Sequence, residues 1–159
     1  MTTKLICSIS LALVTILAGC ATQVGKVSFP QPSASFTPKQ TYTMPYDKLW
    51  DATINTLDKN RISTVSTDKA GGAIQTDYIE GQSSLIGLGV VAAQNTRYKY
   101  NLALRKQADD SVKLNILCKI DSTMTGSAGS SQWHDVTGQN AALAKKLETW
   151  LYEEIEKGL

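Results

Sequence analysis

Two stretches of strict alternation constrain the fold of this chain more than any other feature. Between Arg97 and Arg105, Tyr98, Tyr100, Leu102 and Leu104 alternate with Arg97, Lys99, Asn101, Ala103 and Arg105. Gln107 to Ser111 reads as a turn, after which Val112, Leu114, Ile116, Cys118 and Ile120 keep the same period. Successive side chains of a strand point to opposite faces, so each stretch predicts one dry face and one wet face. A sheet with a single wet face is the habit of antiparallel strands. The dry face needs a cover, and two amphipathic segments offer one. Tyr46, Trp50, Ile54 and Leu57, widened by Leu49, recur at helical spacing behind Pro45, a residue suited to the first helical position. Trp50 is expected to be the buried anchor of this helix, and Asn60 its left-handed stop. Leu143, Leu147, Leu151 and Ile155 form a second stripe between about Gln139 and Lys157.

Shorter strands are expected at Gln40–Thr43, Arg61–Thr67 and Ala73–Ile79, the last with Ile74, Thr76 and Tyr78 on one face. Asp68 to Gly72 is a turn cluster between two of them. The order β-α-β-β-β-β-α predicts an α+β fold: an antiparallel sheet of four to five strands with two helices packed on one face. Residues 40–159 have the length of one domain.

The first twenty residues follow a different logic. Lys4 supplies a positive start, Leu5 to Leu17 an apolar run, and small residues lead into Cys20. These are the parts of a secretory signal, and the run is shorter than the ~20 residues that cross a bilayer. The ending Leu17-Ala18-Gly19-Cys20 resembles the lipobox of bacterial lipoproteins. That resemblance implies cleavage between Gly19 and Cys20, removal of residues 1–19, a diacylglycerol on the Cys20 thiol and an acylated new amine. Several acyl chains on one residue anchor a protein stably without a transmembrane helix. Ala21 and Thr22 follow Cys20 in place of an Asp, and in the lipoprotein sorting pattern this favours the periplasmic face of the outer membrane. Residues 20–39, with Pro30, Pro32 and Pro38 among Ser, Thr and Gln, are expected to form an extended lipidated tether, reaching on the order of 50 Å.

Tyr46-Asp47-Lys48-Leu49-Trp50-Asp51-Ala52 and Asp68-Lys69-Ala70-Gly71-Gly72-Ala73-Ile74-Gln75-Thr76 resemble the helix-grip domains of BamC-like (NlpB-like) lipoproteins. The resemblance covers residues 40–157 as a pattern of elements. It implies a role accessory to the machinery that inserts outer-membrane barrels. BamC carries two such domains and a longer tether, where this chain has one.

Candidate chemistry is sparse. Cys7 leaves with the signal and Cys20 is consumed by lipid, so Cys118 stands alone on an alternating strand, as a small buried hydrophobe does. Lys4 is the only charge in the signal, and the rest of the chain is nearly neutral. A balance of that kind gives no electrostatic footprint for nucleic acid. Gly87-Leu88-Gly89-Val90-Val91-Ala92 matches a dinucleotide fingerprint in spacing, but its neighbours read as antiparallel strands, so no cofactor is expected. His134 lies beside Trp133 and Asp135 without the partners of a triad or zinc site, and Asp109-Asp110 read as turn residues. No metal and no catalysis are expected. Arg97, Lys99, Arg105, Lys113 and Lys119 alternate onto one face as a basic stripe, either solvated or docking an acidic partner.

The segment Ser83–Ala93 is long, small and apolar, with Leu85, Ile86, Leu88 and Val90 as candidate partner contacts. The bland reading is that it folds back as strand extensions. The expectation as a whole is a lipid-anchored, non-catalytic binding or scaffold module with a protein partner in the envelope. The alternative is a carrier or sensor of a small apolar ligand held between sheet and terminal helix.

Overall fold

The computed structural model describes residues 29–87, 91–125 and 132–159. The elements are β1 (Thr41–Tyr42), α1 (Tyr46–Lys59), β2 (Thr64–Asp68), β3 (Ala73–Thr76), β4 (Ile79–Gly87), β5 (Val91–Lys106), β6 (Val112–Thr125), β7 (His134–Asp135) and α2 (Ala141–Lys157). The expected α+β architecture is present, and all strand pairs are antiparallel. The sheet has seven strands rather than four or five. The segment expected as a loop supplies β4, and a two-residue β7 joins near the end of β6.

The long β5–β6 hairpin is the spine, paired from Ala93↔Thr125 to Lys106↔Val112. Along one half of β5 runs β3, which carries β2 outside it; along the other half runs β4. Tyr98, Tyr100, Leu102 and Leu104 are buried together with Leu114, Ile116, Cys118 and Ile120, as the alternation predicts. Burial lifts the Cys118 thiol to about 12, so it is a protonated core group at neutral pH. Leu49, Trp50 and Leu57 of α1 and Leu147, Leu151 and Ile155 of α2 close over that face. Trp50 is only 6% exposed. Thr53 and Thr56 are buried where the stripe predicted Ile54, which is half-buried; Thr53 satisfies its hydroxyl on the Leu49 carbonyl.

Both ends of α1 differ from expectation by one residue. Pro45 lies outside the helix as its N-cap, in extended backbone, and its carbonyl accepts from Lys48 and Leu49. Asn60 keeps a negative φ, and the left-handed residue is Arg61, at φ 57°. Arg61 N–H donates to the Asp58 carbonyl and Ile62 N–H to that of Leu57. This is a Schellman closure, with Ile62 and Leu57 both buried.

The α2 side chains also close the outer edge of β6. Between the short β1 and β7 that edge has no strand partner among the described residues. Ile116 N–H donates to Tyr152 Oη (3.1 Å), which donates to the Leu114 carbonyl (2.9 Å). Cys118 N–H donates to Glu148 Oε1 (3.0 Å), and Ile120 N–H to Thr137 Oγ1 (2.9 Å). Four residues of helix rise ~6 Å and two of strand ~6.7 Å, so Glu148 and Tyr152 stay in step with alternate β6 amides.

The expected tether is shorter than the sequence reading made it. From Phe29 onward the chain lies on the domain as a strap. The Phe29 ring sits 5.9 Å from Tyr98, Phe36 packs against the core, and Lys39 is bonded through its carbonyl to Tyr42. Ser33 donates from both its N–H (2.7 Å) and its hydroxyl to the Glu153 carboxylate. Proline and polar composition suggested a free segment; two aromatic rings and a buried acid hold it instead.

Candidate functional site

Helices cover one face of the sheet, which leaves the other as the candidate site. The β5–β6 register sets residue pairs across that open face: Arg97 beside Asp121, Lys99 beside Lys119, Asn101 beside Leu117, Ala103 beside Asn115 and Arg105 beside Lys113. All five residues of the predicted basic stripe are therefore on one face.

They are not equivalent. Asp121 is buried, and its Oδ2 lies 3.4 Å from Arg97 Nη2 while its Oδ1 lies 3.3 Å from Lys119 Nζ. Lys119 also reaches Asp135 at 3.7 Å. Burial alone would raise the Asp121 pKa; the Tyr78 hydroxyl, Lys119 and Arg97 reverse that and leave it below the ordinary carboxylate value. The Tyr78 phenol is raised in turn, first by its hydrogen bond toward Asp121. The Arg97 guanidinium is sandwiched between two rings, 3.7 Å from the centroid of Tyr78 and 4.0 Å from that of Trp133. Lys99 lies 4.9 Å from the Tyr78 ring. Among the described residues, Lys99, Arg105 and Lys113 have no carboxylate within ion-pair distance. Leu117, 65% exposed, lies among them. Among the described residues, the buried Arg97 Nε and Thr123 Oγ1 have no hydrogen-bond partner, and the buried Asp121 Oδ1 has only its ion pair with Lys119.

Sequence periodicity found the cations and missed their partners. Tyr78 was expected on the core face with Ile74 and Thr76. Instead β3 ends at Thr76, whose hydroxyl takes up the Tyr100 N–H at 2.9 Å, and the break at Asp77–Tyr78 resets the alternation. Trp133 is placed by β7, where Ser122↔His134 and Asp121↔Asp135 bring a distant loop alongside β6. His134 itself is exposed.

Gly19 and Cys20 lie outside the described residues, as do Leu88 and Val90. Leu85 and Ile86 are on β4, opposite Ala93 and Ala92, so their segment is hairpin and not loop. Gly87 pairs with Val91 across that hairpin, which removes the strand–turn–helix context a dinucleotide fingerprint requires. Asp109 accepts from the Ser111 N–H and hydroxyl in the β5–β6 turn. No helix among the described residues is long and apolar enough to cross a membrane.

The two stretches that resemble BamC-like domains meet at one joint. Tyr46 Oη donates to the Lys69 carbonyl at 2.7 Å, and Lys69 Nζ reaches Asp47 at 3.0 Å and Asp51 at 3.4 Å. Asp68 accepts from Gly71 N–H, and Gly72 is left-handed at φ 70° with its carbonyl bonded to Leu104 N–H. These contacts fix α1 to the β2–β3 turn, away from the Arg97 cluster. No protein-family model matches the chain, and no curated protein matches it.

Proposed function

We propose that this chain is a lipid-anchored, non-catalytic binding module on the periplasmic face of the outer membrane, which presents the open face of its sheet to a protein partner. The observation that carries the anchor is the run from Lys4 through Leu17-Ala18-Gly19-Cys20. A face of unpaired Lys99, Arg105 and Lys113, with exposed Leu117 and the Arg97–Trp133 stack beside it, supports a partner segment carrying carboxylates and apolar groups. The resemblance to BamC-like lipoproteins supports a role accessory to outer-membrane protein assembly. A ligand held between sheet and α2 would have to displace Tyr100, Tyr152, Leu147 and Leu151, which fill that space and are bonded across it. The binding-module reading is favoured for that reason.

The anchor is tested by labelling cells with a palmitate analogue. The native chain should incorporate label and fractionate with outer membranes, and Cys20→Ser should incorporate none. A variant that is still labelled, or a native chain that is not, contradicts the anchor.

A further inference from the structure

The sheet is chemically polarised along its length. No charged residue occurs from Gly81 to Thr96, and none from Ser122 to Gln132. The topology brings the described parts of these stretches, 81–87, 91–96 and 122–125, together at one end. β4 and β5 pair from Ser83↔Asn95 through Leu85↔Ala93 and Ile86↔Ala92 to Gly87↔Val91, and β6 runs beside β5 as far as Ala93↔Thr125. Consecutive register pairs are uncharged, so both faces of the hairpin arms are uncharged. The helical layer stops short of this end: Ile120 is fully buried, while Met124, on the same strand face, is 58% exposed. The opposite end carries Asp47, Lys69, Arg105, Lys106, Asp109 and Asp110.

The strap enters the domain between these ends. Phe29 packs on Tyr98 and against Gly81, where an added Cβ would stand 2.8 Å from its ring. From Cys20 to Phe29 the chain spans at most ~30 Å, at ~3.4 Å per residue. From Tyr98 to Val91 is ~24 Å along β5, and from Tyr98 to Lys106 ~27 Å the other way, at ~3.4 Å per residue. Either end of the sheet is thus within reach of a bilayer holding Cys20, and chemistry decides between them. The charged end would have to desolvate ions of both signs, whereas the uncharged end would not.

We propose that the uncharged end of the sheet is a second membrane contact: the arms of the β4–β5 hairpin, with the Met124 end of β6, rest in the headgroup region of the bilayer to which Cys20 is joined. The contact is shallow, because a hairpin that crossed the bilayer core would leave strand-edge amides without partners. This inference rests on the anchor proposed above, and it adds an orientation: the domain stands on its hairpin with the basic face turned sideways to the membrane.

The test separates the two claims. Residues 20–159, produced without the preceding apolar run and carrying Cys20→Ser, have no acyl chain and are mixed with vesicles of phosphatidylethanolamine and phosphatidylglycerol, then floated. The chain should float with the vesicles, raised salt should reduce that little, and Leu85→Asp combined with Ile86→Asp should cut it at least tenfold. A second measurement does not depend on how that pair folds. A polarity-sensitive dye on Ile86→Cys should shift to the blue on adding vesicles, and the same dye on Asp110→Cys should not. Failure of the acyl-free chain to float, binding abolished by salt, or equal dye responses at the two ends overturns the proposal. Palmitate labelling of the native chain reads the anchor independently of any of these results.

Discussion

At the scale of single residues, two backbone positions with the same left-handed geometry respond to mutation in opposite ways. Gly72 has φ 70°, and an added Cβ would lie 2.0 Å from the Leu104 carbonyl oxygen, inside the β3–β5 pairing. Gly72→Ala is therefore expected to destabilise by about 2 kcal/mol or more, from left-handed strain and a clash with backbone that has no rotamer to yield. Arg61 already carries such strain at φ 57°. Relief of ~1–2 kcal/mol offset by ~0.4–1 kcal/mol of unfolded-chain entropy leaves Arg61→Gly neutral to stabilising, with a net gain of up to about 1.6 kcal/mol. Urea denaturation of both variants checks the signs. Cys118 behaves as a third kind of residue. Its thiol, buried and raised to about 12, should resist alkylation in the native protein at neutral pH and react once the chain is unfolded. Fast native labelling would contradict its core placement.

Individual elements show how the amphipathic patterns translate into structure. Strict alternation in β5 and β6 was legible because a half-buried strand has only two faces to fill. The helices were legible as stripes, although α1 buries Thr53 and Thr56 beside its apolar residues. The edge lock on β6 was not legible, because Glu148 and Tyr152 beside an apolar stripe look like ordinary flanking residues until a strand edge is placed next to them. Tyr152→Phe leaves the Ile116 N–H without its acceptor and the Leu114 carbonyl without its donor, and should cost about 1–3 kcal/mol. Faster hydrogen exchange at Ile116 should accompany the loss; an unchanged amide there would show that the edge is satisfied otherwise. The strap was misread for a related reason: its composition is that of a linker, and its hold on the domain depends on a distant acid. Hydrogen bonds from Ser33, aided by Lys157, hold Glu153 at about 2 instead of the ordinary 4.5. A depressed acid contributes its stabilisation in full above its unfolded pKa and loses it as the pH falls toward the folded value. The strap should thus stay docked at neutral pH and loosen between pH 4.5 and about 2. Glu153→Gln should expose residues 29–39 to protease at neutral pH; equal resistance in native and variant chains would count against the Ser33–Glu153 clasp.

For the whole molecule, the scaffold was more legible in the sequence than a working surface. The alternation that marks the scaffold is a local pattern, confined to a few consecutive residues. The open-face cluster is assembled from Tyr78, Arg97, Lys119, Asp121 and Trp133, which come from four separate stretches and meet only through strand register. Two of those placements depended on a strand break and on a two-residue strand, neither of which has a periodic signature. The hairpin Ile79–Lys106 was read as strands joined by an apolar loop because small residues and glycines dilute its period; the backbone ladder extends it to Gly87↔Val91. The domain is proposed to work by binding through its open face. The most direct measurement is photo-cross-linking in intact cells from a probe replacing Leu117, compared with a probe replacing the exposed Asp58 on α1. The Leu117 probe should yield one discrete adduct with a protein presenting an acidic segment, and Lys99→Glu with Lys113→Glu should abolish it while the melting temperature holds. No adduct from Leu117, or the same adduct from both probes, would contradict the account.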